Sequence, residues 1–250
     1  MKNESNWNCG GDAGMAARRR ANGNTESVDN YLKAILSLGG PEEGRVTIKA
    51  LAGRLLVAPA SVTNMLQKLA ASPAPLVEYE RHGGVQLSSA GKRRALEVVR
   101  HHRLIETFLY EVLDYPLEEL HEEAERLEHF ISERFEQRIA AKLGHPKTDP
   151  HGHSIPTVEG KMPLGKSPAR ESMLLADVVE DGTYMVDSVA DRDAHNLRVI
   201  EACGITPGAR LRVRRNAGRD GCWVRVGRAS REFHLSREIA WDVRISRPPK

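Results

Sequence analysis

Apolar positions from Ser27 onward repeat at helical spacing. In VDNYLKAILSL, Val28, Tyr31, Leu32, Ile35 and Leu38 share one face, Ser27 can cap the start, and Gly39, Gly40 and Pro41 end the run. In VTIKALAGRLLVAPASVTNMLQKLAAS, Thr47 caps a short helix through Leu55, Val57 and Ala58 form a tight turn, and Pro59 opens a second helix from about Ala60 to Ala70. Two short helices so closely joined predict a helix-turn-helix. LVEYE and GVQLS then alternate around Arg81-His82-Gly83-Gly84 as a β-hairpin, which completes a winged helix-turn-helix.

Beyond the hairpin the period lengthens. Ser88 caps a long helix through about Leu113, broken before Pro116, and a second long helix is expected from Leu117 to Leu143. Gly and Pro recur between Gly144 and Pro168, which marks a linker. From Met173 the pattern turns to short β-like segments (VVEDGTYMVDSVA, ARLRVRRNA, CWVRVG, EFHLS and AWDVRI), with one helix-like interruption at Ala194–Cys203. Such a series suggests a small barrel. The expected fold is mainly α with a small all-β domain at the C-terminal end. Residues 1–26 read as a tail without apolar period, 27–95 as the DNA-binding domain, and 96–145 as paired helices. Residues 146–172 read as the linker, and 173–250 as the β domain.

Charge divides along the same lines. Basic residues outnumber acidic ones ten to six in residues 27–100, and acidic outnumber basic eleven to five in 101–145. One block suits an anion and the other a cation. No run of about 18 apolar residues exists to span a membrane, and the first residues carry no secretory core, so a cytoplasmic protein is expected. Cys9, Cys203 and Cys222 are odd in number and far apart, which argues against a disulfide framework.

Two sets of side chains carry candidate chemistry. On the second helix of the helix-turn-helix, Val62, Met65, Leu66 and Leu69 face inward, while Ser61, Thr63, Asn64, Gln67 and Lys68 face out. Short polar groups and amides there can reach base edges and phosphates in a major groove. A solvated helix face is the plain alternative. The adjoining turn, the hairpin and the basic Arg81, His82, Lys92, Arg93 and Arg94 favour DNA.

The second set lies on the long helices. His102 and Glu106 are four apart and share a face. On an ideal helix His121, Glu125, Glu128 and His129 fall within an arc of about 100°. Leu120, Ala124, Leu127 and Ile131 form an apolar stripe beside them. Glutamate is common on exposed helices, yet the matching pair on the preceding helix points to a metal site. Imidazole with carboxylate suits Mn, Fe, Co, Ni or Zn.

The order of winged helix-turn-helix, H-R-L-x-E, H-x-x-x-E-x-x-E-H, D-P-H-G-x-x-I-P and a small β domain resembles one known family. It is that of the metal-dependent repressors related to diphtheria toxin repressor and the manganese transport regulator, in the long form with an SH3-like domain. The resemblance is close from about Ser27 to Pro156 and weaker from Met173 to Ile245. It implies two metal sites per subunit, one from His102, Glu106 and His121, with Asp193 and Asn196 of the β domain added and His195 as their rival. The other would be Asn30, Glu125, Glu128 and His129. Glu125 stands where iron-type members carry cysteine, and hard carboxylate favours Mn(II), with Fe(II) next. Asn30 brings an uncharged oxygen where manganese-type members carry aspartate, and Lys33 adds a positive charge one turn on. An ion shared between the helix of Asn30 and the helix of Glu125 would fix the reading heads.

The function this implies is a homodimeric repressor, not an enzyme, with Mn(II) or Fe(II) as co-repressor. It would bind a pseudo-palindromic double-stranded operator before metal-homeostasis genes, without a small-molecule substrate or a membrane partner. Two rivals are a carboxylate/histidine di-metal enzyme and a helix-turn-helix regulator answering to a non-metal ligand. The first normally needs a bundle of four helices with Glu-x-x-His repeated on two of them, and this chain offers neither that repeat nor a third and fourth long helix.

Overall fold

Thr47 has extended backbone geometry, and its hydroxyl accepts from Ala50 N–H at 3.2 Å, so a helix must begin at the next residue. In the computed structural model that helix is the second element of a chain described over residues 12–40, 44–163, 172–191, 193–215, 221–227 and 231–248, with side chains from residue 26. The chain divides into two compact units, Met1–Ala95 and Leu96–Lys250.

In the first unit α1 (Asp12–Gly39) begins earlier than the sequence pattern predicts, so Ser27 lies inside the helix and does not cap it. The expected tail falls partly on residues 1–11, which lie outside the described residues. Val28, Tyr31, Leu32 and Ile35 are buried as their spacing requires, whereas Leu38 is exposed. Helices α2 (Ile48–Leu55) and α3 (Pro59–Ala70) meet at Leu56, which adopts the left-handed conformation at φ 54° and ends α2. Val62, Leu66 and Leu69 of α3 join Leu32, Leu51, Val77 and Val85 in one core.

The wing is the antiparallel pair β1 (Val77–Glu80) and β2 (Gly84–Leu87). Val46 adds a bridge to Val85, with mutual backbone hydrogen bonds of 2.8 and 2.9 Å. Gly84 makes this approach possible: at φ +86°, a Cβ there would lie 2.7 Å from the Val46 carbonyl oxygen. Arg94 and Asp29 close the unit with a 2.6 Å ion pair.

Helix α4 (Ser89–Leu113) starts on Ser88, whose hydroxyl accepts from Gly91 N–H at 3.1 Å. The single helix expected over 117–143 is broken. A 3-10 turn, Leu117–Glu119, leads into α5 (Leu120–Leu127), and α6 (Glu133–Lys142) starts afresh. Ser132 causes the restart, with extended backbone and a hydroxyl accepting from Phe135 N–H. His129 therefore sits in the turn after α5, outside the helical arc its spacing suggested.

The C-terminal part is a six-stranded antiparallel sheet in the order β3-β8-β4-β5-β6-β7. The strands are β3 (Met173–Leu174), β4 (Gly182–Val189), β5 (Arg210–Arg215), β6 (Cys222–Val226), β7 (Phe233–Leu235) and β8 (Val243–Ser246). Helix α7 (Ala194–Ala202) follows β4, and the short α8 (Arg237–Ala240) precedes β8. Ile105, Leu109, Leu117, Leu120 and Ala124 from the helices share one core with Tyr184, Val186, Leu197, Ile200, Leu211 and Ile245. The helices and the sheet are thus one folding unit, although Gly/Pro-rich chain separates them in sequence.

Gly84→Ala should destabilise the first unit by about 1–3 kcal/mol, since it adds a strained backbone conformation and a collision at one residue. A thermal melt should show an earlier transition; an unshifted melt would mean that the wing does not press on Val46.

Candidate metal centre

His102 and Glu106 stand one turn apart on α4, with His102 Nε2 3.0 Å from Glu106 Oε1. The other ring nitrogen, Nδ1, lies 2.6 Å from Glu128 Oε2 and 3.9 Å from Glu125 Oε1. One imidazole therefore faces two different sets of carboxylates. His121 joins from α5, its ring 5.0 Å from that of His102 in an edge-on arrangement. Its Nδ1 is 4.0 Å from Glu106 Oε1 and 3.4 Å from Asp191 Oδ2.

Two groups of donors result. In one, single ligand atoms of His102, Glu106, His121 and Asp191 all lie within 4.8 Å of one another; in the other, so do those of His102, Glu125 and Glu128. His129 Nε2 stands 3.2 Å from Glu128 Oε1, beside the second group. Glu106 and Glu128 are almost wholly buried, at 0% and 1% exposure. Burial alone pushes the Glu106 carboxyl upward, but hydrogen bonds and charge from His102 and His151 hold it at about 2. Burial likewise works against ionised Asp191, and the hydrogen bond to His121 with the charges of His121, His153 and His151 keeps it well below the carboxylate range.

This chemistry fits a divalent first-row cation. Hard carboxylate oxygen and neutral imidazole nitrogen are the donors such ions take. Glu106 Oε2 is buried with no hydrogen-bond partner among the described residues, which leaves a lone pair for an ion.

The β domain contributes a different residue from those the sequence suggested. Asp193 is the N-cap of α7, where its Oδ1 accepts from the backbone N–H groups of His195 and Asn196 at 2.8 and 3.1 Å. Asn196 is buried, and its amide donates to Asp242 Oδ2 at 2.8 Å. His195 is exposed. Asp191, two residues earlier, is the carboxylate beside His121. The sequence signals only that Asp193, directly before a helix, is committed to capping; nothing local points to Asp191. Asn30 is half-buried on α1 in the first unit.

Sequence reasoning also missed the support behind Glu128. His101 Nδ1 is 3.3 Å from the Glu128 carbonyl oxygen, and its Nε2 is 3.0 Å from Glu136 Oε2 on α6. Arg100 donates to Glu136 Oε1 at 2.6 Å and to the Pro156 carbonyl at 2.8 Å. These buried contacts fix the turn that carries Glu128 and His129.

On α3, Ser61, Asn64, Gln67 and Lys68 are exposed together, and Thr63 is half-buried with its hydroxyl donating to the Pro59 carbonyl at 3.1 Å. The outward face is polar and cationic, as DNA contact requires.

Family models match along the chain. The iron dependent repressor N-terminal DNA binding domain matches residues 24–85, the iron dependent repressor metal binding and dimerisation domain residues 88–157, and a FeoA domain residues 173–247. The iron-dependent repressor IdeR of Mycobacterium leprae (strain TN) is 30% identical over 200 residues, covering 75% of this chain and 84% of the relative. The HTH-type transcriptional regulator MntR of Oceanobacillus iheyensis is 33% identical over 125 residues, 50% of this chain and 82% of the relative. A solved structure of a manganese-dependent transcriptional repressor in complex with manganese is 34% identical, with a TM-score of 0.77 over 88% of this chain and 100% of that one. The chain belongs to the iron-dependent repressor family of metal-dependent, DNA-binding transcriptional repressors.

Proposed function

We propose that this chain is a homodimeric repressor whose α3 reads operator DNA and whose affinity for that DNA is set by Mn(II), with Fe(II) as the next best ion. The observation that carries the reading is His102, with one ring nitrogen on Glu106 and the other on Glu128. One metal site per subunit would comprise His102, Glu106, His121 and Asp191, and the other Glu125, Glu128 and His129. Asn30 is kept as a candidate from the sequence resemblance alone. When bound, the ion supplies positive charge among carboxylates that otherwise rely on imidazole partners.

The chain's own residues do the rest. Glu106 and Glu128 hold negative charge away from water, where it attracts a cation more strongly than at the surface. His101 and Glu136 hold the turn bearing Glu128, so the donors need little rearrangement to bind. Metal then favours the DNA-competent state only through its differential affinity for it. Glu125 supplies a hard oxygen, which supports Mn(II) over softer ions. No described helix is long and apolar enough to cross a membrane, and a DNA partner supports a cytoplasmic location. The operator is expected to be a pseudo-palindrome matched to a two-fold dimer.

Titrating Mn(II), anaerobic Fe(II), Co(II) and Zn(II) against operator binding at fixed salt tests the reading; binding indifferent to every ion would sink it. On DNA, Asn64→Ala should lose roughly 1–3 kcal/mol on the specific site. Lys68→Ala should weaken specific and random DNA alike and lower the salt slope by about one. Unchanged affinity in both variants would remove α3 from the interface.

The two metal sites should separate by mutation. His121→Ala should weaken one bound ion per subunit, whereas His102→Ala should weaken both, each by at least the roughly 10–100-fold that loss of an outer-sphere partner costs. Calorimetry that finds equal, single-site losses for the two variants would show that His102 serves one site only. Glu125→Cys should shift the activating order toward Fe(II), Co(II) and Zn(II), read from the same DNA titrations; an unaltered order would take Glu125 out of the site.

A further inference from the structure

The outer face of the C-terminal sheet is basic and serves neither set of metal donors. On β5, Leu211 and Val213 turn into the core, so Arg210, Arg212 and Arg214 turn outward and are exposed. On β6, Val224 is buried and Trp223 and Arg225 share the outer face, because Arg212 pairs with Arg225 and Arg214 with Trp223 across the strands. β7 extends the second of these rows with His234 opposite Trp223. Like charges directly opposite one another weaken a sheet. Arg212 facing Arg225 therefore costs stability that an anion on this face would offset.

The fold neutralises this face only in part. Glu232 accepts from Arg225 Nη2 and from Arg214 Nη2, each at 2.9 Å, and these hydrogen bonds hold its carboxyl below the usual carboxylate range. One carboxylate between two guanidinium groups leaves a positive charge over, and Arg225 Nε is buried with no hydrogen-bond partner among the described residues. Arg210 and Arg212 form no ion pair among the described residues. Arg214 Cζ lies 5.9 Å from the centre of the Trp223 ring, which meets the ring of His234 edge-on at 5.1 Å. These contacts restrict Arg214 before any ligand arrives, so less entropy is lost on binding. Successive arginines on β5 stand about 6.8 Å apart, close to the rise of two phosphates along one strand of DNA. Among the described residues no large apolar side chain of β4 to β7 is exposed, so the face lacks the apolar centre of a protein–protein contact.

We propose that this arginine face is a second DNA contact, in which Arg210, Arg212, Arg214 and Arg225 hold the phosphate backbone of duplex DNA without reading its bases. Guanidinium groups take phosphate oxygens in bidentate geometry, which suits a rigid row of them to a regular polyanion. Base readout stays with α3, and the sheet adds affinity for any duplex. The inference rests on DNA as this chain's ligand and on neither metal site.

Binding of the full chain, with Mn(II) present, to a random-sequence duplex can be followed by fluorescence anisotropy as KCl is raised. Arg210→Gln combined with Arg212→Gln removes two phosphate contacts and should lower the log–log salt slope by about two. Glu232→Gln should act in the opposite sense, steepening the slope by about one and tightening binding, because Arg214 and Arg225 are freed for phosphate. A variant that merely loosened the fold would not bind more tightly. An unchanged slope in the double variant would overturn the proposal and leave the role of α3 standing, since Asn64→Ala and Lys68→Ala do not touch this face. An unchanged DNA slope together with lost binding of poly-L-glutamate would overturn it in favour of an acidic protein partner. Should the double variant fail to fold, Glu232→Gln decides, and a slope no steeper than the parent's overturns the proposal.

Discussion

A carboxylate sealed from water keeps its charge only among positive partners, and Glu106 has no exposed surface at all. The second unit is arranged around that requirement. α4 places His102 one turn before it, α5 brings His121, and the loop after α6 brings His151. Together the imidazoles His102 and His151 hold the carboxyl at about 2 against the upward push of burial. Taking away one partner of a buried ion pair typically costs about 3–5 kcal/mol, because the remaining charge is stranded. The same stranded charge is what gives a divalent ion a reason to bind there.

Holding those partners in register falls to the apolar core. Ile105 and Leu109 on α4 and Leu120 and Ala124 on α5 are packed against Tyr184, Leu197, Ile200 and Ile245 of the sheet region. Asp191 lies between β4 and α7, so its carboxylate reaches His121 only because the sheet is docked on the helices. The sheet therefore serves the site twice, through Asp191 and through the Val189 N–H that secures His151. An independent domain on a loose tether could do neither.

What was legible from sequence follows from the range of each interaction. The caps at Thr47 and Ser88, the buried faces of α2 and α3 and the hairpin register depend on residues a few positions apart, and the 3.6- and 2-residue periods expose them. His102 with Glu106 was legible for the same reason. The break between α5 and α6 was not, because the apolar stripe runs on through Ile131 and the competing cap at Ser132 looks like any surface serine. Asp191, Asp149 and His151 reach Glu106 through contacts from 43 to 85 positions away along the chain. No local period encodes such contacts, and Asp193, the aspartate that the family resemblance implied, caps α7.

His102 adds a constraint on how the two proposed helix sites act together. An imidazole that offers the lone pair of Nε2 must carry its proton on Nδ1, and that N–H points at Glu128, 2.6 Å away. Filling the Glu106 side thereby engages one lone pair of a ligand on the other side and fixes its carboxylate. In the reverse sense, drawing Glu128 toward an ion of its own weakens its hold on the Nδ1 proton and changes the basicity of Nε2. Whatever the size of this coupling, linkage makes it equal in both directions. A single side chain between two carboxylate sets is therefore enough to make the occupancy of either site depend on the other, without any larger movement of the fold.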